Sequence, residues 1–193
     1  MIGKYRSWYE TKFEILGEKV AKLRITPNQL TLVSIIPGIF SCYFFSERKI
    51  IIGVIFMLLS FFIDALDGSL ARATGKITKT GKILDPVADR YIEFLIIFGV
   101  ALGKMAEFWI AFYCLFGMIM ASYARARAES VENIDLMSVG IMERQEKFLL
   151  LLIGILLFNF YSNSLNYALF TIGTLSHITV VQRILYVKKK VRE

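Results

Sequence analysis

Cysteine and histidine are scarce in this chain, which has two cysteines and one histidine among its 193 residues. Cys42 and Cys114 each lie inside an apolar block, so the sequence indicates neither a disulfide framework nor a cysteine-based metal site. Both are expected to be small core residues. His177 stands alone in the last apolar block, which favours a packed residue with satisfied hydrogen bonds over a catalyst. The sequence contains no low-complexity segment, long linker or clear repeat. We also expect no removable signal peptide.

Apolar residues, in contrast, make up 56% of the chain, and the mean hydropathy is positive at +0.57. A soluble domain of this length rarely has that composition. The apolar residues form blocks of about 20 residues, the length that crosses a bilayer. The sequence therefore predicts an all-α integral membrane protein with six transmembrane helices, the first of which Pro37 should bend. The predicted spans are 29–46, 50–69, 82–102, 106–126, 147–161 and 164–187.

The N-terminal segment has a different pattern. Residues 3–24 place apolar side chains roughly on one side of a helix, among lysines and glutamates. Such a helix can lie in the membrane interface, and a soluble packing helix is the alternative. Thr26 then offers a helix cap. We therefore expect one domain over 1–193, made of an interfacial amphipathic helix at 1–26 and a six-helix membrane domain at 27–193.

The distribution of lysine and arginine predicts the orientation in the membrane. These residues concentrate before the first block, at the second and fourth connections and at the C-terminus. Positive charge accumulates on the cytoplasmic side of membrane proteins. We therefore predict a multi-pass protein of the cell membrane with both termini and any active site in the cytoplasm. The net charge of +7 is assigned to this anchoring in membrane lipids, and no nucleic-acid partner is expected.

Four aspartates lie where the second predicted span ends and the third begins. Asp64 and Asp67 are three residues apart and Asp85 and Asp89 are four apart, so each pair shares one helical face. A short connection brings the two helices side by side, which lets the four carboxylates converge. Carboxylates in an apolar setting are costly without compensation. Their oxygen atoms suit Mg²⁺, Mn²⁺ or Ca²⁺ rather than zinc, and two such ions can clamp a diphosphate.

Small residues and an arginine accompany these aspartates. Gly68, Ala71 and Gly81 would let a nucleotide approach the backbone closely, and Arg72 can bind phosphate with its fork of donors. One alternative is that the aspartates are ordinary helix ends paired with nearby basic residues. Another is an ion transporter, which would need carboxylates near the bilayer midplane rather than at one end. A structural membrane protein would give no reason for four aspartates.

This stretch resembles the motif of the CDP-alcohol phosphotransferases, D-x2-D-G-x2-A-R-x8-G-x3-D-x3-D, and matches it without departure. The resemblance implies a homodimeric enzyme that binds a CDP-activated lipid through two divalent metal ions, Mg²⁺ or Mn²⁺. It implies four metal ligands: Asp64, Asp67, Asp85 and Asp89. Asp89 would also be the general base for an acceptor hydroxyl that attacks the β-phosphate and releases CMP. The implied donor-binding residues are Pro27, Asn28, Thr31, Asp67, Gly68, Ala71, Arg72, Gly81 and Asp85.

Three further segments resemble the phosphatidylinositol phosphate synthases and the archaetidylinositol phosphate synthases, whose acceptor is myo-inositol 1-phosphate. They are residues 122–129, 140–144 and 179–183. A phosphorylated acceptor needs cations, and arginine suits phosphate, although basic residues here can also simply contact lipid head groups. The residues predicted to bind the acceptor phosphate are Arg125, Arg127, Arg144, Lys147 and Arg183. Glycerol 3-phosphate or serine is the alternative acceptor, and the donor tail, diacyl or archaeal ether-linked, stays open.

Overall fold

The computed structural model describes residues 16–17, 19–22, 25–132, 136 and 139–191. Over these residues the chain is all-helical and contains no strand. Most of the predicted interfacial helix at 1–26 lies outside the described residues, so that helix stays a prediction. The long helices in the described part are α1 Pro27–Ser46, α2 Ile50–Thr74, α3 Lys79–Leu102, α4 Phe108–Glu132, α5 Arg144–Leu157 and α6 Ser164–Val191.

Each predicted apolar block corresponds to one of these helices, but most helices run past the predicted ends. α2 continues from the predicted end at 69 to Thr74, and α4 continues from 126 to Glu132. A hydropathy block covers only the apolar part of a helix. The backbone hydrogen bonding of the helix can continue through charged residues beyond that block. α1 begins at the predicted cap, where the Thr26 hydroxyl accepts from the Gln29 amide and the Gln29 side chain accepts from the Thr26 amide.

In the part of the chain that the structure describes, four helices are long and apolar enough to cross a membrane, namely α1, α2, α4 and α6. α3 has sufficient length, but its central part carries Asp85, Asp89, Arg90 and Glu93. α5 has only 14 residues, which at the rise of an α-helix is about 21 Å, short of the ~30 Å hydrocarbon core. The all-helical membrane architecture therefore stands with four candidate spans, and six spans remain a prediction.

Contacts divide the chain into two compact units, Met1–Gly99 and Val100–Glu193. In the first unit α1 packs along α2, and in the second α6 packs against α4 and α5. Between α1 and α2, buried hydroxyls bond to backbone carbonyls of the neighbouring helix: Ser60 Oγ donates to the Ser34 carbonyl at 2.7 Å. Such bonds and small residues allow membrane helices to approach closely. The single domain over 1–193 stays a prediction.

The contact between α4 and α6 depends on two glycines. A Cβ at Gly117 would lie 2.9 Å from the Gly173 carbonyl oxygen, and a Cβ at Gly173 would lie 3.0 Å from the Cα of Cys114. His177 packs beside them as expected, with its ring centroid 4.9 Å from that of Tyr113. Its buried Nε2 has no hydrogen-bond partner among the described residues, so the expectation of a satisfied side chain was wrong. Because backbone atoms face both glycines, no side-chain rotation could accommodate an added methyl group.

We therefore expect Gly117→Ala to lower the stability of the second unit by about 1–3 kcal/mol, the usual cost of overpacking. Gly38→Ala on α1 is the matched control, because its Cβ would have its nearest neighbour at an ordinary 3.5 Å. Thermal unfolding in detergent measures the difference. Equal melting temperatures for the two variants would show that the α4–α6 contact can relax.

Candidate active site

Three of the four motif aspartates come together in the first unit. Asp64 and Asp67 lie on α2 and Asp85 lies on α3, and one carboxylate oxygen from each is within 4.8 Å of the others. Asp64 and Asp67 are buried, whereas Asp85 is exposed. The cluster therefore combines two carboxylates fixed in the helix packing with one that solvent can reach.

A tight reversal between α2 and α3 produces this convergence. Gly75 caps the C-terminal end of α2. Its φ of 65° is the left-handed conformation that commonly closes a helix, and its amide donates to carbonyls of the last turn. The Thr78 hydroxyl accepts from the Gly81 amide at 3.0 Å and fixes the start of α3. The connection is therefore residues 75–78, shorter than the predicted 70–81.

Thr31 adds α1 to the site. Its hydroxyl donates a hydrogen bond to Asp67 Oδ2, and the side chain is almost fully buried. The Thr31 carbonyl in turn accepts from Ser34 Oγ at 2.7 Å. The sequence predicted Thr31 near the donor nucleotide but gave no signal for its bond to a carboxylate. This bond fixes the orientation of the Asp67 carboxylate.

Asp89 lies one helical turn beyond Asp85 on α3 and is buried. Arg90 Nη2 is 3.8 Å from Asp89 Oδ2, and Arg90 Nη1 is 2.7 Å from Glu93 Oε2. Glu93 is buried as well, and a buried carboxylate needs a paired charge. Glu93 was not predicted as a site residue, although its spacing of three from Arg90 and four from Asp89 inside an apolar block was an available signal.

The residues predicted to bind the donor lie on the same three helices. Asn28 of α1 is next to Gly81 of α3, because a Cβ on Gly81 would lie 2.9 Å from Asn28 Oδ1. Pro27 occupies the first turn of α1, and Ala71 lies in the last turn of α2. A side chain at position 81 would therefore displace Asn28.

Arg72 is exposed near the C-terminal end of α2. Its Nη2 donates to Ser69 Oγ at 3.2 Å, and a Cβ on Gly68 would lie 3.4 Å from its Nη1. Ser69 is fully buried and was not predicted as a site residue. It holds the guanidinium near Gly68, at van der Waals distance from the place that a Cβ would occupy.

The chemistry of the cluster fits a divalent cation. Its ligand atoms are carboxylate oxygens, the type that Mg²⁺ and Mn²⁺ prefer, and the cluster includes no cysteine or histidine. Three carboxylates within 4.8 Å repel one another when all are ionised. A bound cation removes that repulsion.

The basic residues predicted for the acceptor all lie in the second unit. Arg125 forms an ion pair with Glu129, Nε to Oε1, at 2.7 Å, and Arg127 is exposed. Arg144 and Lys147 lie in the first turn of α5, and Lys147 is buried. Arg183 is also buried, and two of its nitrogen atoms donate to backbone carbonyls. Their binding of an acceptor stays a prediction.

Comparison with known proteins gives the same family as the aspartate motif. The profile of the CDP-alcohol phosphatidyltransferase family matches residues 24–182. The archaetidylinositol phosphate synthase of Pyrococcus horikoshii is 37% identical over 191 residues, which cover 98% of each chain.

Solved structures share the fold. Phosphatidylinositol phosphate synthase PgsA1 of Mycobacterium tuberculosis with CDP-DAG bound aligns at a TM-score of 0.81 and 23% identity, over 91% of this chain and 93% of that chain. The same protein in complex with manganese and citrate aligns at 0.79 and 23% identity, over 91% and 88%. Together with the profile match over most of its length, the 37% identical relative shows that this chain belongs to the CDP-alcohol phosphatidyltransferase family.

Proposed function

We propose that the protein transfers the phosphatidyl-type group of a CDP-activated lipid to myo-inositol 1-phosphate and releases CMP. Its family makes it a CDP-alcohol phosphotransferase. The observation that carries the proposal is the carboxylate cluster formed by α2 and α3, to which Thr31 of α1 donates a hydrogen bond. The name of the Pyrococcus relative and the three inositol-type segments support the choice of acceptor.

Asp64, Asp67, Asp85 and Asp89 are proposed to hold two divalent ions, Mg²⁺ or Mn²⁺. When bound, such ions neutralise and orient the oxygens of a diphosphate. Thr31 keeps the Asp67 carboxylate in a fixed orientation for this task. The PgsA1 structure with manganese supports this choice of metal. Arg72 and the backbone at Gly68 and Gly81 are proposed to bind the CDP part of the donor, with Asn28, Pro27 and Ala71 beside them.

Asp89 is proposed to act as the general base. It takes the proton of the acceptor hydroxyl while the acceptor oxygen forms a bond to the β-phosphorus of the donor. The bond between that phosphorus and the bridging oxygen breaks, and CMP leaves with the electron pair. The ion pair with Glu93 keeps Arg90 in position on the same helix. Arg90 therefore stays close to Asp89 during the proposed proton transfer.

The start of α5 suits an anionic acceptor. Its N-cap residue, Glu143, makes no side-chain hydrogen bond to the first turn, which carries Glu146 as well as the two cations. Helix N-termini bind anions through their amide groups. Arg144 and Lys147, three residues apart, lie on one face of this turn. We assign the acceptor phosphate to these two residues, with contributions from Arg125, Arg127 and Arg183.

The membrane arrangement in this proposal has six spans. They are the four candidate spans together with α3, which carries charged residues, and α5, which is short. The interfacial helix at 1–26, both termini and the active site face the cytoplasm. The lysines near the C-terminal end of α6 support that side for the C-terminus. The active form is a homodimer, as the family resemblance implies.

The decisive assay is CMP release by purified protein in lipid vesicles, with Mg²⁺ and either a diacyl or an ether-linked CDP-lipid. Inositol 1-phosphate, glycerol 3-phosphate, serine and free inositol are compared as acceptors. We expect inositol 1-phosphate alone to drive release. Another preferred acceptor would overturn the assignment of residues 122–129, 140–144 and 179–183. Absence of release with every acceptor would favour an ion transporter.

Arg144→Ala is expected to raise the KM for inositol 1-phosphate about tenfold or more, because a charged hydrogen bond contributes roughly 1.5–3 kcal/mol. The KM for the CDP-lipid should stay unchanged. Lys188→Ala, which removes an exposed cation near the end of α6 in the same unit, is the control. Unchanged acceptor kinetics in Arg144→Ala would exclude this arginine from the acceptor site.

A further inference from the structure

We propose that Thr179 and Gln182 of α6 are positioning residues for the acceptor. They hold the loop 139–143, which ends directly before Arg144. The inference rests on the proposed function, because it explains how α5 is set in place to bind a phosphorylated acceptor.

Gln182 and Thr179 each bind one backbone amide of this loop. The Ile141 amide donates to Gln182 Oε1 at 3.1 Å, and the Met142 amide donates to Thr179 Oγ1 at 3.2 Å. The two acceptors are three residues apart on α6, so they face the loop from the same side of the helix. Two consecutive loop amides are thus fixed by two side chains of one helical turn.

The Thr179 hydroxyl is fully used in this arrangement. It donates to the Leu175 carbonyl at 2.8 Å and so presents its oxygen to the Met142 amide. Both Thr179 and Met142 are buried. A buried amide that loses its acceptor costs about 1–3 kcal/mol. Removing this hydroxyl would therefore release the loop rather than exchange the bond for water.

Gly140 brings the loop close enough for these bonds. Its φ is 133°, a backbone conformation that residues other than glycine rarely adopt. A Cβ at this position would collide with Thr179 Cγ2. The methyl group of Thr179 thus fills the space that the glycine leaves. The loop is held by contact at Gly140 and by hydrogen bonding at the next two residues.

Arg183 extends the same framework to α4. Its Nε donates to the Val139 carbonyl at 2.9 Å, and its Nη1 donates to the Ala121 carbonyl at 2.6 Å. Ala121 directly precedes the segment 122–129. The three segments that resemble inositol phosphate synthases are therefore joined through residues of α6.

This framework determines where α5 begins. The loop ends at Glu143, the N-cap residue of α5, so its position sets the direction of Arg144 and Lys147. A preorganised binding element loses less entropy when the ligand binds. Loosening the loop should therefore weaken acceptor binding selectively.

The test compares Thr179→Val, which keeps the shape but loses the hydroxyl, with Thr179→Ser, which keeps the hydroxyl. We expect Thr179→Val to raise the KM for inositol 1-phosphate about tenfold, equivalent to about 1.4 kcal/mol. Its kcat and its KM for the CDP-lipid should change less than threefold. Hydrogen exchange should become faster in the peptide covering 139–143. Thr179→Ser should have the wild-type KM for inositol 1-phosphate and the wild-type rate of hydrogen exchange. If Thr179→Val does not fold, Gln182→Met replaces it and should show the same two effects.

Several results would overturn the proposal. Equal increases in both KM values would show a general structural role, and unchanged exchange would show that the hydroxyl does not hold the loop. Faster exchange with an unchanged acceptor KM would separate the loop from acceptor binding while leaving the proposed function intact. If the wild-type protein does not use inositol 1-phosphate, the proposed function fails first, and this inference fails with it.

Discussion

Asp89→Asn is expected to lower kcat by about 10³-fold, the usual contribution of a general base. Asparagine has nearly the same shape but cannot take the proton of the acceptor hydroxyl. Arg90 Nη1 lies 2.7 Å from Glu93 Oε2, so loss of the Asp89 charge would still leave Arg90 beside a carboxylate. Measurements of CMP release, CDP-lipid binding and thermal unfolding should show that turnover is lost while the fold and part of the donor binding remain.

Glu47→Gln is the control for this variant. Glu47 is exposed at the C-terminal end of α1, so the same change of charge occurs in the same unit and away from the cluster. Its turnover should match that of the wild type. A parallel loss of turnover, donor binding and melting temperature in Asp89→Asn would mean that Asp89 is mainly structural.

Asp67→Asn is expected to weaken Mn²⁺ binding at least 100-fold in the absence of any substrate. Asp67 lies on α2 in the cluster with Asp64 and Asp85 and accepts the Thr31 hydroxyl, so the change removes a ligand charge from a fixed position. Loss of an outer partner of a metal ligand typically costs 10–100-fold, and loss of the ligand itself should cost more. Titration of the purified protein, with free Mn²⁺ followed by electron paramagnetic resonance, measures the affinity.

Thr31→Val tests the contribution of the hydrogen bond that orients Asp67, while the Asp67 carboxylate itself is kept. It keeps the shape of the side chain but removes the hydrogen bond to Asp67 Oδ2, so Mn²⁺ affinity should fall about 10-fold. The Glu47→Gln protein should bind Mn²⁺ like the wild type. An affinity in Asp67→Asn equal to that of the control would show that the ion is bound elsewhere.

The aspartate motif was readable from the sequence because it is local. Helical spacing alone places Asp64 with Asp67 and Asp85 with Asp89, and the short connection brings Asp85 to the first pair. The apolar blocks predicted the order of the six long helices in the described residues for the same reason. The predicted helix ends were wrong where a helix continues into polar or charged sequence, because hydropathy detects only its apolar part. α2, for example, continues to Thr74.

Contacts between distant residues were not readable. The bond from Thr31 to Asp67 joins residues 36 positions apart, and the bond from Arg183 to Ala121 joins residues 62 apart. No periodicity within one helix encodes such pairs. Arg183 illustrates the consequence: its bonds to the carbonyls of Val139 and Ala121 had no signal in the sequence, and its binding of the acceptor phosphate stays a prediction.

The three clustered aspartates and Thr31 all precede Gly99, the last residue of the first unit. The ribosome makes this half first, and domains fold from the N-terminus as the chain emerges. The reversal at 75–78 joins α2 and α3 at little entropic cost, because closing a short loop is inexpensive. The nascent chain thus carries every carboxylate of the cluster before α4, α5 and α6 have been synthesised. The residues proposed to bind the cation therefore lie in the half of the chain that is synthesised first, and the residues proposed to bind the acceptor phosphate follow in the second half.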